Sequence, residues 1–253
     1  MQKKLKILFI GLGSAGQRHL RILQKILKKY NKQFYCYRRT NRNLIIDDKL
    51  KTKRIDSIEK YYNIKNLNNA LIHKIKFDIV YITNPISKHV YYALKFAKFG
   101  SNIFIEKPLS HNLRNVNLLK KIQKKKKLKI CIGYQLRFHP GIKYIQNIIK
   151  KNKLGKIEKG TFHFGEFLPD MHKYEDYSKT HMAKKKQGGG AVLCLSHEVD
   201  LVRYLLGEPK IVESTIYKKS NLNIDVEDCL EAILKFENRA KVKLNINFLD
   251  TPP

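Results

Sequence analysis

A short apolar strand that runs into three spaced glycines and then into an amphipathic helix constrains this chain more than any other feature. The opening segment KLKILFIGLGSAGQRHLRILQKIL begins with the run Ile7 to Ile10, whose length and branching suit a strand covered on both faces. Leu20, Ile22, Leu23 and Leu27 then recur on one side of a helix. Between them stand Gly11, Gly13 and Gly16 in a G-x-G-x-x-G spacing. In a strand-to-helix turn Gly11 allows the tight turn, Gly13 admits a pyrophosphate to the backbone, and Gly16 lets helix and strand pack closely. The helix start, at Ser14 and Ala15, offers backbone N–H groups to the phosphates. The expected ligand is a dinucleotide.

Dinucleotide sites of the NAD type usually carry an acid about twenty residues past the glycines, at the end of the next strand. Here the strand QFYCYRR ends in Arg38, Arg39 and Thr40, and no Asp or Glu occurs between Gln17 and Ile46. Arginine pairs with a 2′-phosphate through a planar fork of donors, and a threonine hydroxyl adds a hydrogen bond, so the pattern favours NADP(H) over NAD(H). In so basic a chain, an accident of composition is the weaker alternative for the two arginines.

The strand–turn–helix pattern returns in FDIVYITNPISKHVYYALKFAKFG and in NIFIEKPLSHNLRNVNLLKKIQKKKK, and LKICIGY reads as one more buried strand. Strands alternating with helices imply right-handed crossovers and a doubly wound parallel sheet, the Rossmann arrangement, over residues 1–133. The turns Thr83-Asn84-Pro85 and Glu106-Lys107-Pro108 then fall at the carboxyl ends of strands, the edge where open α/β sheets bind ligands.

From residue 134 the pattern changes. A helix in GIKYIQNIIKKN leads to the strand KIEKGTFHFGEF, a polar loop, a helix starting near His197, and three strand-like segments joined by short turns. Residues 134–253 are expected to form an α+β domain with a mainly antiparallel open sheet.

With 43% hydrophobic residues among 253, the chain can fill two cores. No secretory signal and no run of twenty apolar residues is visible, so a cytoplasmic protein is expected. Cys36, Cys131, Cys194 and Cys229 are scattered singly, which suits reduced thiols and neither a zinc site nor a disulfide framework. The formal charge of +31 is spread over nearly every segment. Such a distribution argues against a dedicated nucleic-acid surface and leaves only nonspecific attraction to anions.

Taken together, the N-terminal glycine motif, TNPISKHV, IEKPLS and GGGAVLCLSHEVD resemble the Gfo/Idh/MocA family of sugar and polyol oxidoreductases along essentially the whole chain. GYQLRFHPG and LSHEVDLVRYLLGEP are similar to members associated with surface-polysaccharide sugar metabolism. The resemblance implies that Lys107 of the Glu106-Lys107-Pro108 motif sits beside nicotinamide and substrate, where an ammonium polarises the reacting oxygen. It implies that His197 is the acid/base, a task suited to imidazole. Without the resemblance, a lone histidine among apolar residues is more often a buried core ring than a catalyst.

Further roles are implied in the same way. Glu198 and Asp200 either orient His197 or serve as helix-start charges, and Asp200 is assigned to the substrate side. Arg137 and His139 face the substrate, with an interdomain ion pair as the alternative for Arg137. His89 supports the cofactor site or holds a helix start. Many relatives carry an aspartate three residues before the catalytic histidine, where this chain has Cys194. A thiol does not replace a permanent carboxylate at neutral pH. Either Lys107 and His197 work alone, or the dehydrogenase step is altered or lost.

The resemblance also implies further strands beyond Pro253, so the second sheet is expected to be shortened, with homo-oligomerisation depending on whether it is intact. The expected function is an NAD(P)-dependent oxidoreductase acting on a CH–OH group of a sugar, nucleotide-linked or acidic, without metal, membrane or specific nucleic acid. The alternative is a catalytically weakened NADP(H)- or sugar-binding protein of the same fold.

Overall fold

The computed structural model describes residues 3–39 and 42–251, which divide into two compact units, residues 1–133 and 134–253. Thr40 lies outside the described residues.

The first unit runs β1 (Leu5–Ile10), α1 (Ser14–Ile26), β2 (Lys32–Tyr37), β3 (Leu44–Ile46), β4 (Thr52–Arg54), α2 (Ile58–Tyr62), β5 (Lys65–Asn66), β6 (Ile79–Ile82), α3 (His89–Lys98), β7 (Asn102–Ile105), α4 (Val116–Lys126) and β8 (Ile130–Ile132). Its main sheet has the order β5-β2-β1-β6-β7-β8, and every pairing in it is parallel. The order reverses between β1 and β6, so the crevice of a doubly wound sheet opens there, beside Gly11 and Thr83.

Both faces of this sheet are buried, which is why its central strands read as apolar runs. Leu8 and Ile10 face one core, with Val80, Ile82, Ile103, Ile105 and Phe96. Ile7 and Phe9 face the other, with Leu20, Phe34, Cys36, Ile58 and Tyr62. Gln17 is almost fully buried in α1 and each of its amide atoms is used: Nε2 donates to the Leu12 and Leu44 carbonyls, while Oε1 accepts from Ile46 N and the Tyr62 hydroxyl. The small β3–β4 hairpin is thereby tied to α1.

The second unit runs α5 (Pro140–Lys150), β9 (Lys159–Gly165), α6 (Leu168–Met171), α7 (Ala191–Cys194), α8 (His197–Leu206), β10 (Ile211–Tyr217), β11 (Cys229–Lys235) and β12 (Lys241–Asn247). Its sheet has the order β10-β11-β12-β9. The first two pairings are antiparallel, but β12 meets β9 in parallel, so the sheet is mixed. Alternate residues Leu230, Ala232 and Leu234 of β11 and Val242, Leu244 and Ile246 of β12 are buried, whereas Glu231, Ile233, Lys241 and Lys243 are exposed. The period of two reflects a sheet covered on one face, against which α7 and α8 pack.

Among the described residues no helix is long and apolar enough to cross a membrane, and no group of three or more His, Cys, Asp or Glu residues is placed to hold a metal ion.

Candidate functional site

In the first unit the glycine turn sits where β1 hands over to α1. Gly11 has φ +91°, and a side chain there would meet the Thr83 carbonyl oxygen and the Asn84 backbone at 3.0–3.1 Å. Gly16 is pressed still closer: an added Cβ would lie 2.8 Å from the Gly11 oxygen and from Thr83 Oγ1. At Gly13 nothing stands within 4 Å of the same position. Two glycines are thus required by packing, while the middle one borders open space at the start of α1. That helix has no side-chain cap and no acidic residue in its first turn. Its N-terminal dipole therefore faces an opening suited to an anion.

Thr83 closes the floor of the crevice, donating from Oγ1 to the Gly11 carbonyl at 2.9 Å. Asn84 Oδ1 is buried without a hydrogen-bond partner, in a fold where such atoms are rarely left alone. Pro85 leads into a short turn, Ile86–Lys88, and then into α3. His89, 1% exposed at the head of α3, spans the two turns: Nε2 lies 2.8 Å from the Asn84 carbonyl oxygen and Nδ1 2.8 Å from that of Pro108. A neutral imidazole donates through only one nitrogen, so the ring makes one of these bonds at a time unless it is protonated. Burial pushes its pKa below the ordinary value despite the pull of both carbonyls toward the charged form.

Glu106 and Lys107 follow β7 at the same edge. Glu106 Oε2 accepts the Lys107 backbone N–H at 3.0 Å, and Oε1 lies 2.6 Å from His19 Nε2 on α1. Burial pushes the Glu106 carboxyl up, but the His19 hydrogen bond, its charge and the Lys107 N–H outweigh it, leaving the pKa below the usual carboxylate range. His19 also packs edge-on against Phe104 with ring centroids 4.8 Å apart. The one sequence signal that pointed to His19 is its place three residues past Gly16, one turn along the same helix.

At the far end of the crevice Arg38 directly follows β2, beside Tyr37, whose carbonyl accepts from Gly11 N at 3.0 Å. The Arg38 side chain is 7% exposed and forms an ion pair with Glu59 of α2; its Nη1 also donates to the Arg42 carbonyl at 3.1 Å. Arg39, the next residue, is exposed, and its charge acts on the Tyr92 hydroxyl of α3. Glu59 was missed because nothing local in the sequence links it to the end of β2.

The second unit holds the remaining candidates. His197 opens α8, and its Nε2 lies 3.3 Å from the Gln135 amide nitrogen. Tyr134 stands edge-on to the ring, centroids 5.8 Å apart, and its hydroxyl donates to Ser196 at 3.4 Å. Gln135 is a further residue that spacing alone did not reveal. The preceding α7 is set by Gly190, with φ +107°, packed against the carboxylate of Glu227, which accepts from Val192 N at 3.3 Å. Burial raises the Glu227 pKa above the usual range. Cys194, one turn before His197, is buried.

Arg137 and Asp200 are brought together. The guanidinium grips the carboxylate with both arms, Nε–Oδ2 2.7 Å and Nη2–Oδ1 2.6 Å, and lies over the Tyr204 ring at 5.1 Å. The pair lies within the second unit and is not an ion pair between units. His139 caps α5, its Nδ1 accepting from Gly141 N at 3.2 Å.

Against this geometry, two family models match the chain: an oxidoreductase family with an NAD-binding Rossmann fold over residues 5–134, and the GFO/IDH/MocA C-terminal domain over residues 142–253. The chain is 23% identical over 155 residues to oxidoreductase P35 of Formosa agariphila, covering 61% of this chain and 48% of that protein. It is 27% identical over 135 residues to inositol 2-dehydrogenase of Rhizobium meliloti, covering 53% of this chain and 38% of that one. Among solved structures, the WlbA dehydrogenase of Chromobacterium violaceum, in complex with NADH and UDP-GlcNAcA, shares the fold with a TM-score of 0.81 at 19% identity, over 99% of this chain and 69% of that chain. The chain spans about half or less of the length of the two curated relatives.

Proposed function

Since this chain belongs to the GFO/IDH/MocA oxidoreductase family, we propose that it interconverts a secondary alcohol and a ketone of a sugar with a nicotinamide dinucleotide. The observation that carries the reading is the glycine crevice. Gly11 and Gly16 are held by packing and Gly13 borders open space at an uncapped helix start, while the buried Asn84 oxygen lacks a partner in the fold. These features fit a dinucleotide, with its pyrophosphate against Gly13, Ser14 and Ala15, and its nicotinamide toward Thr83, Asn84, Pro85 and Glu106.

When bound, the nicotinamide supplies hydride chemistry. Lys107 then holds the reacting oxygen by hydrogen bond and charge, and His197 takes or returns the hydroxyl proton. Glu106 holds the Lys107 backbone N–H, and His89 lies against the Pro108 carbonyl that follows it. In this assignment Arg137 and Asp200 shape the substrate side as a pair, and His139 does so from the start of α5. A nucleotide-linked or acidic sugar of surface-polysaccharide metabolism is the proposed substrate class, by likeness to the neighbour that binds UDP-GlcNAcA. The proposed preference for NADP(H) rests on Arg39, because Arg38 is engaged by Glu59. A cytoplasmic setting suits four cysteines that are free thiols, and we propose a homo-oligomer.

The second reading, a binding protein with weakened turnover, is favoured by Cys194 standing one turn before His197 where a carboxylate would serve. One experiment separates the two: titrate with NADH and NADPH by nicotinamide fluorescence, then assay nucleotide-linked and acidic sugars with the tighter cofactor. Saturable binding with turnover lost in Lys107→Ala supports the enzyme. Binding without turnover, restored by Cys194→Asp, supports the second reading, and failure to bind either dinucleotide overturns both.

A further inference from the structure

Along β2 successive side chains point to opposite faces of the sheet, and Arg38 and Arg39 follow directly on its end. Cys36 belongs to the core beneath α1 and α2, whereas Tyr35 and Tyr37 pack against the core beneath α3. Arg38 reaches Glu59 of α2, on the Cys36 side, whereas Arg39 is exposed. Glu59 is itself held in place. Ser57 Oγ donates to its Oε2 at 3.0 Å while accepting from Lys60 N at 3.1 Å, and the flanking Ile58 and Tyr62 are buried in the core. The carboxylate that is missing from Gln17 to Ile46 is thus supplied to the end of β2 from a different element. It faces an arginine there, whose Nε is buried without a partner.

We propose that Glu59 sets dinucleotide specificity by holding Arg38 away from the ribose, so that one of the two arginines able to meet a 2′-phosphate is withheld. The proposal rests on the reading that the crevice takes a nicotinamide dinucleotide. Its physical basis is that a buried guanidinium keeps only the partners it has. With Glu59 present, a 2′-phosphate must compete for a fork already engaged by a carboxylate and a carbonyl, and must bring its own charge close to that carboxylate. Without it, Arg38 is a buried cation in search of an anion, and NADPH carries one where NADH does not. Arg39 alone then accounts for the 2′-phosphate affinity of the native chain.

The test is a pair of binding titrations by nicotinamide fluorescence on the full chain and on Glu59→Gln, Arg38→Gln and the double variant. Glu59→Gln is expected to tighten NADPH by about tenfold and to leave NADH within about twofold, and the gain is expected to vanish in the Arg38→Gln background. Thermal melts give a second readout: NADPH should raise the Tm of Glu59→Gln by more than it raises that of the native chain, while NADH should raise both equally.

An unchanged NADPH-to-NADH ratio in Glu59→Gln overturns the proposal. So does a gain that persists without Arg38, which would reduce Glu59 to a distant charge. Weakened NADH binding would make Glu59 a ribose ligand instead. If the native chain bound neither dinucleotide, the parent reading would fail with it, whereas saturable binding with an unmoved ratio would sink this inference alone. Should Glu59→Gln not fold, Glu59→Asp, with its shorter reach to Arg38, is expected to shift the ratio in the same direction by a smaller factor.

Discussion

His19 Nε2 lies 2.6 Å from Glu106 Oε1, joining the helix of the glycine turn to the strand end that carries Lys107. Both side chains are largely buried, 20% and 14% exposed, so the bond is little screened by water. Replacing His19 with Leu should cost about 2 kcal/mol at pH 7, the range for a hydrogen bond to a charged group. The pH dependence has a definite sign. The folded Glu106 pKa is depressed, so its contribution is present above the ordinary carboxylate pKa and fades as pH falls through the folded value. In His19→Leu, burial acts without that compensation, so the folded Glu106 pKa rises and the acid-dependent loss from this group should shrink. Urea unfolding of both proteins at pH 7, 5.5 and 4 checks this; equal midpoints at pH 7 would remove His19 from the structural account.

His89 titrates in a different window. Its folded pKa is depressed below the ordinary value of about 6.5, so the unfolded chain binds the proton more readily. Stability from this group is therefore complete above about pH 6.5 and declines as pH falls below it. His89→Gln should be less stable at pH 7, by about 1–2 kcal/mol for the hydrogen bond that the neutral ring donates to the Asn84 or Pro108 carbonyl, and should show a flatter profile between about pH 6.5 and 5. Thermal melts across that interval give the comparison; parallel profiles would mean that the proton enters elsewhere.

The two-armed contact between Arg137 and Asp200 should behave as one unit. Asp200 is 6% exposed and Arg137 42%, so the guanidinium is partly solvated and the cost of breaking the pair is below that of a fully buried one. Arg137→Gln and Asp200→Asn should each lose about 1–2 kcal/mol, and the double variant should lose clearly less than their sum. Additive losses in a double-mutant cycle would show that the two residues contribute separately.

How much of this was legible in the sequence depended on whether the cause was local. Strand β1, the glycine turn and α1 were readable because a doubly buried strand and a helix face each write a period into consecutive residues. The turns at Thr83 and Glu106 followed once the strands were placed. The parallel meeting of β9 and β12 was not readable, since it joins segments far apart in the chain and leaves each strand's alternation unchanged. Arg38 and Glu59 show the same limit at the site: each residue type was visible, but their contact is set by the approach of α2 to the end of β2. At Arg137 the sequence showed the residue but not its partner, because Asp200 is its neighbour in space and not in the chain.

The glycines give the sharpest separation of folding from binding. Gly16→Ala forces a methyl to within 2.8 Å of the Gly11 backbone oxygen and of Thr83 Oγ1, and the Gly11 backbone cannot give way cheaply. It should lose about 1–3 kcal/mol of stability, the usual cost of overpacking. Gly13→Ala meets no protein atom within 4 Å, and Gly13 has φ −75°, a value open to alanine. Its melting temperature should stay within about 2 °C of the native value, corresponding to a change of no more than about 1 kcal/mol. Its methyl would nevertheless stand where the pyrophosphate must approach the backbone, and dinucleotide affinity should fall by about tenfold or more. Melts and nicotinamide-fluorescence titrations on the same two proteins test both halves. If Gly13→Ala bound as tightly as the native chain, the pyrophosphate would not lie against this turn; if it melted early, the space beside Gly13 would be needed by the fold itself.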